Sequence, residues 1–258
     1  MSYPANMPSD NSKRFIGNVF VELPSVDSTN NYAIAKVRQE QAFHGNVYFA
    51  HEQYDGKGQL GKKWTAAAGD NITMSIVLHP DFLLPTQQFA LSVCMAVACV
   101  GFLNNYDSNE FYTKWPNDLY WHDRKAGGIL IENILQGDRW KFAIAGIGIN
   151  VNQTQFPAFL SNPVSLKQIT GKNFAPVILA KALCNSVEEK YKQLRSSGLD
   201  DLLNEYNDHL FKKHQKARLK KENLVFETTI IEVTASGLLH TKDVVDRYFN
   251  FGEVEWLL

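Results

Sequence analysis

Leu179, Leu183, Val187 and Tyr191 recur every four residues along "APVILAKALCNSVEEKYKQLR" (175–195). That stripe predicts a helix with one face on a core, and Pro176 suits its first turn. "FALSVCMAVACVGFL" (89–103) is apolar on every side and predicts a buried helix. It is short for a membrane span, which needs roughly 20 apolar residues. "LDDLLNEYNDHL" (199–210) predicts a further helix. Strands are expected at 18–23, 46–53 and 71–78, then "FYTKW" (111–115), "AGGILIEN" (126–133) and "RWKFAIAGIGINV" (139–151). "QGD" (136–138) predicts the hairpin turn before the last of these. Ser28 or Thr29 should cap a helix running to about Glu40. From about 214 short alternating strands and an S-G turn predict a small all-β unit. The strands come as hairpins rather than in strict strand–helix alternation, so an α+β fold with a mostly antiparallel sheet is expected. The division follows: 1–210 as a main domain, with 1–17 polar and loosely ordered, and 211–258 as a small β domain.

Composition narrows the classes. The chain has 258 residues, 45% hydrophobic and 21% charged, in the range of a soluble globular protein. A formal net charge of −1 offers nucleic acid no global basic field. No secretory signal is expected in the polar N-terminal stretch. Cys94, Cys99 and Cys184 lie among apolar residues, which favours reduced thiols in a cytoplasm. The seven histidines show no zinc-like pairing, so no metal ligands are assigned.

"DGKGQLGKKW" (55–64) carries the first chemical signal. Its glycines spell G-x-G-x-x-G, yet a dinucleotide site needs a helix opening from the loop, and "TAAAGDN" followed by a strand comes instead. G-x-x-x-x-G-K also appears, but Lys63 stands where a phosphate loop needs Ser or Thr. What remains is a lysine-rich, glycine-rich loop between two strands. "KWPND" (114–118) predicts a turn with Trp115 exposed. "DRKAGG" (123–128) sets Lys125 before two glycines, where backbone can approach a ligand closely.

Taken in order, S-T-N, G-K-G-x-x-G-x-x-W, K-W-P-N-D, D-R-K-x-G-G and G-I-G-I-N-V-N resemble the biotin protein ligases. The likeness runs over roughly 23–155 by motif and beyond it by layout. It implies a catalytic domain akin to class II aminoacyl-tRNA synthetases followed by an SH3-like barrel. It also implies the reaction: biotin and ATP give biotinyl-adenylate and pyrophosphate, then biotin passes to a lysine of a carboxyl carrier domain. ATP with Mg2+ and a carrier domain of a biotin-dependent carboxylase are the implied cofactors and partner, in a monomer or homodimer.

The chemistry suits the residues. A carboxylate and a triphosphate are both anions, so positive groups and N–H donors must neutralise them as they meet. By the resemblance, Lys57 bridges carboxylate and phosphate, and Lys125 holds the α-phosphate in both steps. Ser28, Thr29, Asn30 and Gln53 match the biotin contacts, with Gly56 and Gly128 as backbone contacts. Gly58, Gln59, Trp64, Asn117 and Asn150 match the adenylate side. Asp118 either orients the incoming amine, accepts its proton, or simply shapes the turn. Trp64 either covers the ligand or anchors the loop; Lys114 contacts phosphate or the carrier. The chain departs from the common pattern at Gln59, where many members have arginine, and Lys62 or Lys63 could compensate.

Two other readings compete with this one. A DNA-binding repressor needs an extra domain of about 50–60 residues, against 25 before "VDSTN". A lipoate ligase shares the catalytic fold but has different motifs.

Overall fold

The computed structural model describes residues 14–107, 110–160 and 162–257. Most of the expected loose start, 1–13, lies outside them. In chain order the elements are β1 (Val19–Leu23), α1 (Thr29–Arg38), β2 (Asn46–Ala50), β3 (Ile72–Leu78), α2 (Gln88–Leu103), β4 (Phe111–Lys114), β5 (Asp118–Trp121), β6 (Arg124–Gln136) and β7 (Arg139–Ile149). There follow α3 (Leu166–Thr170), α4 (Pro176–Ser197), α5 (Asp200–Asp208), β8 (Lys216–Lys221), β9 (Leu224–Val233), β10 (Leu239–Lys242), β11 (Asp246–Phe249) and β12 (Glu255–Leu257).

A seven-stranded sheet runs β1-β2-β3-β7-β6-β5-β4. Its pairs are antiparallel except β1 with β2, which α1 connects in parallel. A five-stranded antiparallel sheet, β11-β10-β9-β8-β12, follows. The architecture is therefore α+β with a mixed, mostly antiparallel main sheet.

Strand side chains alternate between faces, and this alternation creates the site. Ile72, Met74 and Ile76 of β3, with Ala145, Ile147 and Ile149 of β7, point into the main core under α2 and α4. The alternate positions, Thr73, Ser75, Gly146 and Gly148, face the other way. There they are small or polar: Thr73, Gly146 and Gly148 line a cleft, and Ser75 lies behind Thr29 and Asn30, which line it. α2 is buried nearly all round, which explains why its sequence shows no polar face.

Three local expectations change. Ser28 occupies the cap position of α1 with extended φ and ψ (−152°, 134°), but its side chain makes no capping bond. α1 ends at Arg38, close to the expected Glu40, but β5 begins inside the expected turn, at Asp118. Trp115 is buried, 3% exposed, and its Nε1 donates to Gly237 O of the second sheet's unit at 3.0 Å. An indole presents a large apolar body and one donor, and both are used here to join the units.

Candidate active site

The cleft encloses about 1090 Å³ on the α1 side of the main sheet, closed on one side by the β11–β12 turn. Ser28, Thr29, Asn30, Gln53, Lys57, Gly58, Gln59, Trp64, Asn117, Asp118, Lys125, Gly128 and Asn150 all line it. Gly56 is the one expected residue outside the lining, and it braces Gln53: a Cβ there would lie 2.9 Å from Gln53 Nε2.

One end is a bonded polar cradle. Gln53 Oε1 accepts from Thr29 N at 2.7 Å and from Thr29 Oγ1 at 2.9 Å. The free N–H at the start of α1 is thus met by a side chain 24 residues away, replacing the expected local cap. Ser75 Oγ lies 2.7 Å from Thr29 Oγ1 and 2.5 Å from Asn30 Oδ1. Asn30 Nδ2 donates to Glu132 Oε2 at 2.7 Å, and Glu132 Oε1 pairs with Lys57 Nζ at 3.3 Å. Gly146 lies beneath Asn30, and a Cβ there would collide with the Asn30 amide. Sequence reasoning missed Ser75 and Glu132. Their only signal is a polar residue at a cleft-facing position of a strand.

The glycine loop folds as a small hairpin rather than a helix start. Gly58 N donates to Lys62 O and Trp64 N to Gly56 O, at 2.7 and 2.9 Å. Leu60 at its tip takes a left-handed φ of 53° and stays 71% exposed. The Trp64 indole packs against Gly148, where a Cβ would stand 2.5–2.9 Å from it. Its Nε1 is buried and finds no acceptor among the described residues. Lys63 bonds Asp55 at 2.8 Å, which holds its ammonium pKa up. Lys62 and Gln59 line the cleft.

The other end holds Lys125 and Asp118. They sit on neighbouring strands, where Asp118 pairs with Gly128, and Lys125 Nζ donates to Asp118 Oδ1 at 2.7 Å. Gly128 leaves the space beside them open: a Cβ would come within 3.5 Å of Asp118 Oδ1 and 3.8 Å of Lys125 Nζ. Asn117 Nδ2 donates to Ile129 O at 2.6 Å and so holds the turn to β6. Asn150 Nδ2 bonds Val164 O at 3.0 Å and Lys125 O at 3.3 Å, fixing the backbone under Lys125. Lys114 Nζ donates to Tyr120 OH at 3.2 Å and lies over the Tyr120 and Trp256 rings, at 4.8 and 5.8 Å. Burial lowers its pKa to about 8, against the opposing pull of Asp118. The cysteines stay away from this chemistry: all three are buried, and burial pushes Cys99 and Cys184 up to about 12 and Cys94 higher still.

Comparison with known proteins places this geometry. Residues 22–150 match the model of the biotin/lipoate A/B protein ligase family. The bifunctional ligase/repressor BirA of Bacillus spizizenii is 28% identical over 243 residues, covering 91% of this chain and 73% of that protein. The biotin--[acetyl-CoA-carboxylase] ligase of Paracoccus denitrificans is 30% identical over 131 residues, covering 50% and 53%. In fold, the chain superposes on a biotin protein ligase from Aquifex aeolicus, solved with biotin and ATP, with a TM-score of 0.78 at 23% identity, over 93% of this chain and 99% of that one. The chain belongs to the biotin/lipoate A/B protein ligase family, and its cleft lies within and around the matched segment.

Proposed function

We infer that this chain is a biotin protein ligase that couples biotin to AMP and then passes it to a carrier lysine. One observation carries the reading: a single cleft joins a bonded polar cradle to two lysines, Lys57 and Lys125, each held by a carboxylate. The cradle suits a small polar ring, and the lysines suit two anions. A lipoyl ring has no N–H or carbonyl to meet the cradle.

In the first step a biotin carboxylate oxygen attacks the α-phosphorus, the bond to the β-phosphate bridging oxygen breaks, and pyrophosphate leaves. Lys57 and Lys125 stabilise the anions as they approach, and donors already aimed at the site need little reorganisation. In the second step a carrier lysine amine attacks the acyl carbonyl and AMP leaves. That amine must first lose a proton, against an ordinary pKa of about 10.4. When Lys125 turns to phosphate it releases Asp118 Oδ1, and the freed carboxylate can orient the amine or take its proton.

Several finer readings go with this one. Among the described residues no cluster of three or more acidic, histidine or cysteine side chains is placed to hold a metal ion, so Mg2+ would enter on the triphosphate rather than in a protein cage. The partner is a carboxyl carrier domain of a biotin-dependent carboxylase, as the Paracoccus relative's name suggests. The main domain is of the class II synthetase type and the five-stranded unit of the SH3-like type, in a cytoplasmic enzyme that is monomer or homodimer and binds neither nucleic acid nor membrane. The test is pyrophosphate release with ATP and either biotin or lipoate. Release with biotin is expected; release with lipoate alone overturns the reading.

A further inference from the structure

Glu132 has no part in the steps above, yet it is a carboxylate on the cleft face of β6 with both oxygens engaged. Its effect follows from counting protons. A carboxylate only accepts, so the Asn30 amide must turn its Nδ2 to Glu132 and its Oδ1 to Ser75. Asn30 Oδ1 also only accepts, so the single Ser75 hydroxyl proton goes there. Ser75 Oγ, 2.7 Å from Thr29 Oγ1, then has no proton for Thr29. The Thr29 hydroxyl must send its own proton to Ser75 Oγ or to Gln53 Oε1, both inside the protein. Either way, Thr29 Oγ1 can offer a ligand only a lone pair. Gln53 is oriented independently: Thr29 N can only donate, so Oε1 faces it and Nε2 is left as a donor.

We propose that Glu132 sets the hydrogen-bond polarity of the head-group end, and through it selects a ring carrying an N–H donor beside a carbonyl acceptor. Glu132 touches no substrate; it is a positioning residue acting through Asn30 and Ser75. The inference rests on the biotin reading, since a ureido ring supplies that donor and acceptor. With glutamine at 132 the amide can donate as well as accept. Asn30 can then turn over at the loss of only a long, 3.4 Å bond from its Nδ2 to Leu130 O, the relay can reverse, and Thr29 can donate outward. A polar site rejects a mismatched ligand strongly because its own groups are left unpaired.

The test compares biotin with an analogue in which one ring N–H is replaced by oxygen, using biotin-dependent pyrophosphate release by the full chain. The wild type should prefer biotin by about 100-fold or more in kcat/KM. Glu132→Gln should cut that preference at least about tenfold, mainly by raising KM for biotin, with KM for ATP changing less than about threefold. Ser75→Ala breaks the relay without touching the Glu132–Lys57 pair and should cut the preference in the same way; it decides the matter if Glu132→Gln does not fold. An unchanged preference in the folded variants overturns the proposal. So does an equal rise in both KM values for Glu132→Gln, which would make Glu132 only a counter-ion for Lys57. Absence of biotin-dependent release from the wild type would instead remove the functional reading beneath it.

Discussion

At the Thr29 end of the cleft the polar side chains are nearly closed off from water: Thr29, Asn30 and Ser75 are 4%, 3% and 0% exposed. Each bonds another part of the protein. At the Lys125 end the groups remain wet, with the Lys125 and Asp118 side chains 34% and 25% exposed, and Lys57, paired with Glu132 beside the cradle, is 39% exposed. The first end is built in advance, since buried polar groups must be satisfied and a satisfied network holds one arrangement. The second end holds Lys125 on a carboxylate it can leave. A part-exposed ion pair of this kind is worth little, about 0–1 kcal/mol, so an arriving phosphate can take the lysine away. On the proposed reading, recognition thus sits on fixed groups and phosphate binding on movable ones.

The strongest way to break that contrast is Lys125→Ala. It should lower adenylate formation by about 10³-fold or more, the scale for losing a transition-state charge contact, while thermal stability changes little. Pyrophosphate release and a melting curve measure both, and near-normal turnover would take Lys125 out of the site. The loop gives the next largest effect. Proteolysis within 55–64 should slow about tenfold with biotin plus ATP, because ordering a glycine-rich loop closes the open form to cleavage. Amide exchange at Thr29 and Asn30 should change far less. Equal cutting with and without ligands would show that the loop does not move.

Gln59→Arg sharpens the contrast from the other side. Gln59 lines the cleft on the loop but carries no charge. A guanidinium holds phosphate with stronger, paired bonds, so the variant should release free biotinyl-adenylate about tenfold more slowly. A pulse-chase with labelled biotin gives the rate. An unchanged rate would mean that Lys62 or another cation already does this work.

The same contrast explains what could be read from the chain. α4 was legible because Leu179, Leu183 and Val187 repeat locally, and β7 because its apolar run is long. The glycine loop, Lys125 and Asp118 were legible because their motifs are contiguous. Of the cradle, Thr29, Asn30 and Gln53 were named through the resemblance, but the bonds that tie them to one another and to Ser75 and Glu132 were not legible, because those parts meet only after folding. Gln53 reaches Thr29 across 24 residues and Asn30 reaches Glu132 across 102. Ser75 and Glu132 are single letters inside strand-like runs, and nothing local separates them from a packing position. Trp115 was misjudged for a related reason: its turn suggests exposure, but the unit that buries it begins about 100 residues later.

Lys114 lies at the edge of the wet end and gives the smallest and most specific prediction. Its ammonium is half-buried between the Tyr120 and Trp256 rings, and desolvation lowers its pKa to about 8, whereas the unfolded chain should show the ordinary value of 10.5. Below pH 8 the group is charged in both states, and folding bears the whole cost of burying that charge. Between about pH 8 and 10.5 the unfolded chain binds more protons than the folded one, so this contribution to stability rises with pH. Lys114→Met removes the charge and the cost together. The variant's melting temperature should exceed the wild type's most at pH 7, and the gap should narrow steadily toward pH 10.5. Melting curves of both proteins across that range decide it. A gap that does not vary with pH would mean that the aromatic faces and the nearby Asp118 compensate the ammonium in full, and that the wet end extends to Lys114 after all.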